Sequence, residues 1–142
     1  MDIRQITPRY HVSPQISVED VPALREAGIT RVICNRPDGE VPSSHQADAI
    51  GQAVRDAGLE FEQLPLTHTT MTPENVARQL EMVEAAGGPV LAYCASGTRC
   101  SVIWSLGQVG QQTTDEILST VARAGYDLEG LRPTLDALAS KG

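Results

Sequence analysis

The chain of 142 residues carries 18 acidic against 11 basic side chains, for a net charge of -7 and a pI of about 4.8. That length suits one compact domain, residues 1–142, and a composition 41% hydrophobic and 20% charged excludes a disordered chain. The acidic field repels phosphate backbones and anionic lipid, so neither nucleic acid nor a membrane is an expected partner.

Met1-Asp-Ile-Arg-Gln5 has neither the basic nor the apolar stretch of a signal peptide, and no later run approaches bilayer-spanning length. Strands are predicted at Ile3–Ile6 and Tyr10–Val12. Ser17-Val-Glu-Asp reads as a capping start for a first helix with Val21 and Leu24 on its apolar face, ending at Gly28. Thr30–Cys34 is a β-branched strand, followed by the turn-rich loop Asn35–Glu40. A helix over Ser44–Gly58 buries Ala47, Ile50, Val54 and Ala57, and Leu59–Leu66 returns to strand. Thr72 caps the next helix with Pro73 in its first turn, and Val76, Leu80, Met82 and Val83 form its buried stripe.

Pro89–Tyr93 is the most apolar short run and is predicted to be a central strand. Helices are predicted over Arg99–Val109, over Thr114–Ala124 with Thr114 as cap, and over Leu131–Ala139. Strands alternating with helices imply an α/β fold, a mostly parallel sheet with helices on both faces. Ligands of such sheets bind beyond the carboxyl ends of the strands. Cys94 follows the central strand at that kind of place.

The loop Cys94-Ala95-Ser96-Gly97-Thr98-Arg99 leads from that strand into a helix whose first amides have no intrahelical partners. Free amides and the helix dipole favour negative charge there, which lowers a thiol's pKa and makes it a nucleophile. Gly97 permits several amides to converge on one point, and Arg99 adds a permanently charged fork for an oxyanion. Cys94 and Arg99 are therefore the predicted catalytic pair, with Ala95, Ser96, Gly97 and Thr98 as the substrate cradle.

Arg36 and Asp38 fall on a loop of the same rim and are candidate substrate contacts. Cys100, Ser101 and His68 are candidate auxiliary residues. Cys100 could accept a group from Cys94, bridge to it, or simply pack in the helix. His11, His45 and His68 show no ligand spacing with the cysteines, so no metal is expected, and no cofactor motif occurs. Three cysteines are too few for a disulfide framework and suit a reducing, cytoplasmic setting.

Four stretches, IRQITPRYHVSPQIS, VICNRPDGE, GPVLAYCASGTR and AGYDLEGLRP, resemble in order the phosphatase-like domain of beta-lactamase-hydrolase-like proteins, some members of which are called sulfur transferases. The resemblance implies a fold like that of dual-specificity protein phosphatases, three-layered and of the protein tyrosine phosphatase type, with its reactive loop on Cys94 and Arg99. Many members carry Arg after the cysteine and Ser after the final arginine, where this chain has Ala95 and Cys100. Related domains occur joined to sulfur dioxygenases, which implies such an enzyme as a separate partner.

Tyrosine phosphatases place five residues between cysteine and arginine, whereas four stand between Cys94 and Arg99, as in the six-residue loop of rhodaneses. A tighter ring admits one extra sulfur atom more easily than a phosphoryl group. Pro65–Thr72, where a phosphatase keeps its acid, holds no Asp or Glu, only His68. A thiolate leaving group needs no acid. The sequence thus points first to a sulfurtransferase moving sulfane sulfur through a Cys94 persulfide, from a small anionic donor such as thiosulfate or a persulfide to a thiol acceptor. The alternatives are a cysteine-dependent phosphatase and a non-catalytic anion- or partner-binding domain.

Overall fold

The computed structural model describes residues 1–141. Five strands, β1 (Arg4–Thr7), β2 (Tyr10–Ser13), β3 (Arg31–Cys34), β4 (Glu60–Gln63) and β5 (Val90–Tyr93), form one sheet in the order β1-β2-β5-β3-β4. Only β1 runs antiparallel to its neighbour. The apolar run at 89–93 is central, as predicted, with all four residues of β5 buried. Edge strand β4 is shorter than the predicted Leu59–Leu66: beyond Gln63 the chain peels off, while Leu64 and Leu66 still donate their amides to the carbonyls of Cys34 and Asn35.

Helices α1 (Val21–Glu26) and α2 (Ala47–Asp56) cover one face, where Leu91 and Tyr93 pack with Leu24, Ile50 and Val54. Helices α3 (Pro73–Glu84), α4 (Thr98–Gly107), α5 (Thr114–Arg123) and α6 (Arg132–Lys141) cover the other, where Val90, Ala92 and Cys94 pack with Trp104, Leu118 and Leu135. Successive residues of β5 alternate between the two cores, so Cys94, one residue past the strand, belongs to the α4 side.

Several boundaries differ from expectation for local reasons. Ser17 opens a short 3-10 turn, its amide held by the Asp20 carboxylate at 2.9 Å, and α1 begins only at Val21. Residues 43–45 form a separate turn before α2, whose first amide, that of Ala47, is capped by Asp38 at 2.8 Å. Thr113 rather than Thr114 caps α5, in a reciprocal box with Glu116. On α3 the one fully buried residue is Gln79; Val76, Leu80, Met82 and Val83 are half-buried.

The neighbours β3 and β5 send their following helices to opposite faces, α2 to one and α4 to the other. A crevice opens beyond their carboxyl ends for that topological reason. The loops leaving β3 and β5 form its sides.

Candidate active site

Cys94 is almost wholly buried at the floor of this crevice, and the Gly97 amide donates to its Sγ across 3.1 Å. That approach requires Gly97 to adopt a left-handed conformation, with φ at 91°. A Cβ there would also collide with the hydroxyl of Tyr126. The Tyr126 hydroxyl donates to the Ser96 carbonyl at 3.0 Å, and Ser101 Oγ donates to the Gly97 carbonyl at 2.9 Å. Both bonds turn carbonyls away from the thiol and leave amides facing it.

The Cys94 thiol is held down to about 5 by the neighbouring Cys100 thiol and by the amides of Cys100, Gly97 and Ser96, against burial, which pushes it up. A thiol is a weak donor, so the amides are the dependable part of this stabilisation. Cys100, fully buried on the first turn of α4, is pushed the other way by burial and then by Cys94. The two shifts are opposed, Cys94 toward the thiolate and Cys100 toward the neutral thiol. Cys94 has the ionisation of a nucleophile.

Arg99 points across the crevice. Its Nη1 and Nη2 both donate to Glu40, each at 2.8 Å, and Nη1 also donates to the Leu66 carbonyl at 2.9 Å. Glu40 is held down to about 2, first by Arg99 and, more weakly, by Arg36, whose Nε lies 3.1 Å away. The bidentate fork fixes the guanidinium plane at the rim of the loop. A pocket of about 310 Å³ opens there, lined by Glu40, Thr67, His68, Ala95, Ser96, Thr98 and Arg99.

The structure therefore brings together most of the residues singled out from sequence. Ala95, Ser96, Thr98, Arg99 and His68 line the pocket; Cys94 and Gly97 are buried in the loop beneath. Arg36 reaches it only through Glu40 and otherwise bonds Gln15 at 3.3 Å. Asp38 is turned to the start of α2 rather than to the pocket. Ser101 and Cys100 sit under the loop, fully buried.

Sequence reading missed the groups that hold the loop in place. Glu40 stands 59 residues from Arg99, and its only local sign is Arg36 four positions earlier. Beneath the loop, Asn35 and Gln79 exchange two amide hydrogen bonds of 2.9 and 3.0 Å, and Gln79 also donates to the Tyr10 hydroxyl. The Tyr10 hydroxyl in turn donates to the Cys100 carbonyl at 2.8 Å. Every member is buried, so the relay ties the end of β3, α3 and β2 to the first turn of α4. Arg4 completes the outer support: it donates to the Ala124 carbonyl at 2.9 Å and lies over the Tyr126 ring.

With this geometry in view, comparison with known proteins decides the family. The model of the beta-lactamase hydrolase-like protein, phosphatase-like domain, matches residues 2–111. The chain belongs to this family. A curated relative, the beta-lactamase hydrolase-like protein of Xylella fastidiosa (strain Temecula1), is 31% identical over 130 residues, which are 90% of this chain and 30% of the relative. The chain thus spans under a third of the curated relatives it matches.

A candidate phosphatase from Neisseria meningitidis, known from its crystal structure, superposes with a TM-score of 0.88 at 34% identity, covering 97% of this chain and 99% of its own. Tk-PTP in its active form superposes at 0.77 with 17% identity, over 99% and 98% of the two chains, and shows the fold alone. The fold is thus of the protein tyrosine phosphatase type, as the sequence resemblance implied. These relatives are phosphatase-like, and the sulfurtransferase activity inferred from loop length finds no support among them. Among the described residues no helix is long and apolar enough to cross a membrane.

Proposed function

We propose that this domain is a cysteine-dependent phosphatase acting on phosphate monoesters. What supports the reading is the Cys94 thiol, held down to about 5 beneath a loop whose residues Ala95, Ser96, Thr98 and Arg99 line a pocket together with His68, a candidate proton donor. Neither the short loop nor the missing carboxylic acid stands in the way of phosphoryl transfer. The pocket over the loop has room for a tetrahedral group, and His68 lines it although no Asp or Glu occupies that loop.

In this mechanism the Cys94 thiolate attacks phosphorus, and the S–P bond forms as the ester P–O bond breaks. The amides of residues 95–99 and Arg99 hold the three non-bridging oxygens as charge shifts onto them. His68 gives its proton to the leaving oxygen. Water then cleaves the cysteinyl-phosphate, releasing inorganic phosphate and restoring the thiolate.

Release of phosphate from p-nitrophenyl phosphate, lost in Cys94→Ser, is the expected result. Replacing His68 with Asn should slow alkyl phosphates about 10- to 100-fold while sparing p-nitrophenyl phosphate, whose leaving group departs without a proton. Formation of thiocyanate from thiosulfate and cyanide with no phosphate release would overturn the proposal. That outcome is the second reading, persulfide transfer through Cys94 to a thiol acceptor, and the four-residue spacing of Cys94 and Arg99 is what favours it. A sulfur dioxygenase would then be its natural partner. Oxyanion binding with neither product would leave a binding domain.

A further inference from the structure

The anion pocket is not the largest opening at this end of the molecule. Beside it runs a groove of about 640 Å³, walled by Met71 and Val76 from the α3 side, Val102 and Leu106 from α4, and Leu131 and Leu138 from the α6 side. His68, Thr98 and Arg99 line both spaces, so the groove opens directly onto the site where phosphate would sit.

Two further features set this groove apart from ordinary packing. Val102 and Leu106 lie one turn apart on a helix that is apolar on nearly every side, yet both remain only half-buried because no element among the described residues covers that stripe. Leu138, on the facing helix, is one of the few large hydrophobic residues exposed on the surface, at 37%. A largely apolar groove of this size, ending at Arg99 where that side chain pairs with Glu40 beside the smaller pocket, has the chemistry of a ligand site rather than of a solvated flank.

We infer that the groove takes the hydrocarbon tail of the substrate, so that the preferred substrate is a single-chain alkyl phosphate monoester. The head is held by the loop at Cys94 and Arg99, and the tail runs between α4 and α6. The net charge of -7 disfavours docking on an anionic bilayer, which fixes the source as a dispersed amphiphile rather than a membrane phospholipid. For turnover this inference rests on the phosphatase reading. For binding it does not.

The test uses n-alkylphosphonates of two to ten carbons, below their micelle concentrations, titrated calorimetrically into the chain. Affinity should rise about fourfold for each added methylene until the groove is filled, the ratio set by transferring one CH2 from water. The ratio of decyl to ethyl affinity should collapse in Leu138→Asp and persist in the equally exposed Val18→Ser. Initial rates of phosphate release from the matching n-alkyl phosphates should follow the same series.

Phosphonates that bind with this slope while no phosphate is released would keep the groove assignment and remove the phosphatase. Phosphate release with kcat/KM and affinity independent of chain length would do the reverse. Equal binding of a nonionic decyl detergent, co-sedimentation with phosphatidic acid vesicles in place of the slope, or a dimer that hides Leu138 would each overturn the inference.

Discussion

Two neighbouring strands, β3 and β5, carry cysteines at their carboxyl ends, Cys34 as the last residue of β3 and Cys94 just beyond β5, that begin with much in common and finish as opposites. Cys34 and Cys94 are both buried, and Cys34 lies level with Tyr93, one residue short of Cys94. Cys34 Sγ faces the Arg36 carbonyl at 3.4 Å, as a donor, and its thiol is pushed up, mainly by burial. Cys94 Sγ faces the Gly97 amide at 3.1 Å, as an acceptor, and is held down to about 5. Burial acts on both in the same sense. What separates them is that Cys94 has donors around its sulfur, the Cys100 thiol and the amides of Cys100, Gly97 and Ser96, whereas Cys34 faces a carbonyl oxygen.

The sharpest way to break this comparison is to exchange each sulfur for oxygen. Cys94→Ser should lower turnover by about a thousandfold or more, whereas Cys34→Ser should stay within about twofold. Iodoacetamide at pH 6 should label Cys94 alone, as read by peptide mass spectrometry. Equal labelling of the two cysteines would sink the distinction.

Next in size is the cation above the thiol. Replacing Glu40 with Gln removes the carboxylate that grips both Arg99 nitrogens, so kcat/KM should fall about 10- to 100-fold with the fold intact by circular dichroism. An unchanged kcat/KM would mean that Arg99 orients itself.

The third test uses linkage. Folded Cys94 titrates near 5, and an unfolded cysteine titrates at about 8.5, so between these values the unfolded chain binds more protons. The stability contributed by the thiolate is full above about pH 8.5 and drains away as pH falls toward 5. Urea midpoints of the wild type should therefore climb from pH 5.5 to 8 relative to those of Cys94→Ser. Parallel profiles would show that the thiol is not ionised in the folded chain.

The smallest effect is expected at the turn itself. Gly97→Ala forces a side chain into the left-handed region, which costs about 1–2 kcal/mol, and meets the Tyr126 hydroxyl besides. Thermal unfolding should register the loss, and the alkylation pKa of Cys94 should rise as the amide swings away.

The sequence made the β5 side of this comparison legible and left the rest dark. An apolar run, then Cys94, Gly97, Arg99 and a helix, is a local pattern, and its chemistry follows from backbone geometry within six residues. The parallel sheet was legible for the same reason, since strand and helix periods alternate along the chain. Glu40 was not legible, because nothing local says that the end of one loop will meet Arg99 across the crevice. Gln79 was hidden more deeply: a polar residue on α3 is buried only because Asn35, 44 positions earlier, offers it two hydrogen bonds.

The sulfurtransferase expectation went unsupported by the relatives for a related reason. Counting residues between Cys94 and Arg99 measures the length of the loop but not the space above it, which depends on Thr67, His68 and Glu40 arriving from elsewhere. Pro65–Thr72 holds no Asp or Glu, yet whether its His68 reaches the pocket is a question of tertiary placement.

The contact of Arg4 with Ala124 and Tyr126 carries a practical consequence. Through the Tyr126 hydroxyl it links β1 to the backbone of Ser96, so the first strand is mechanically joined to the reactive loop. Replacing Arg4 with Ala is therefore expected to loosen the loop at Ser96 from a position far from Cys94 in the sequence.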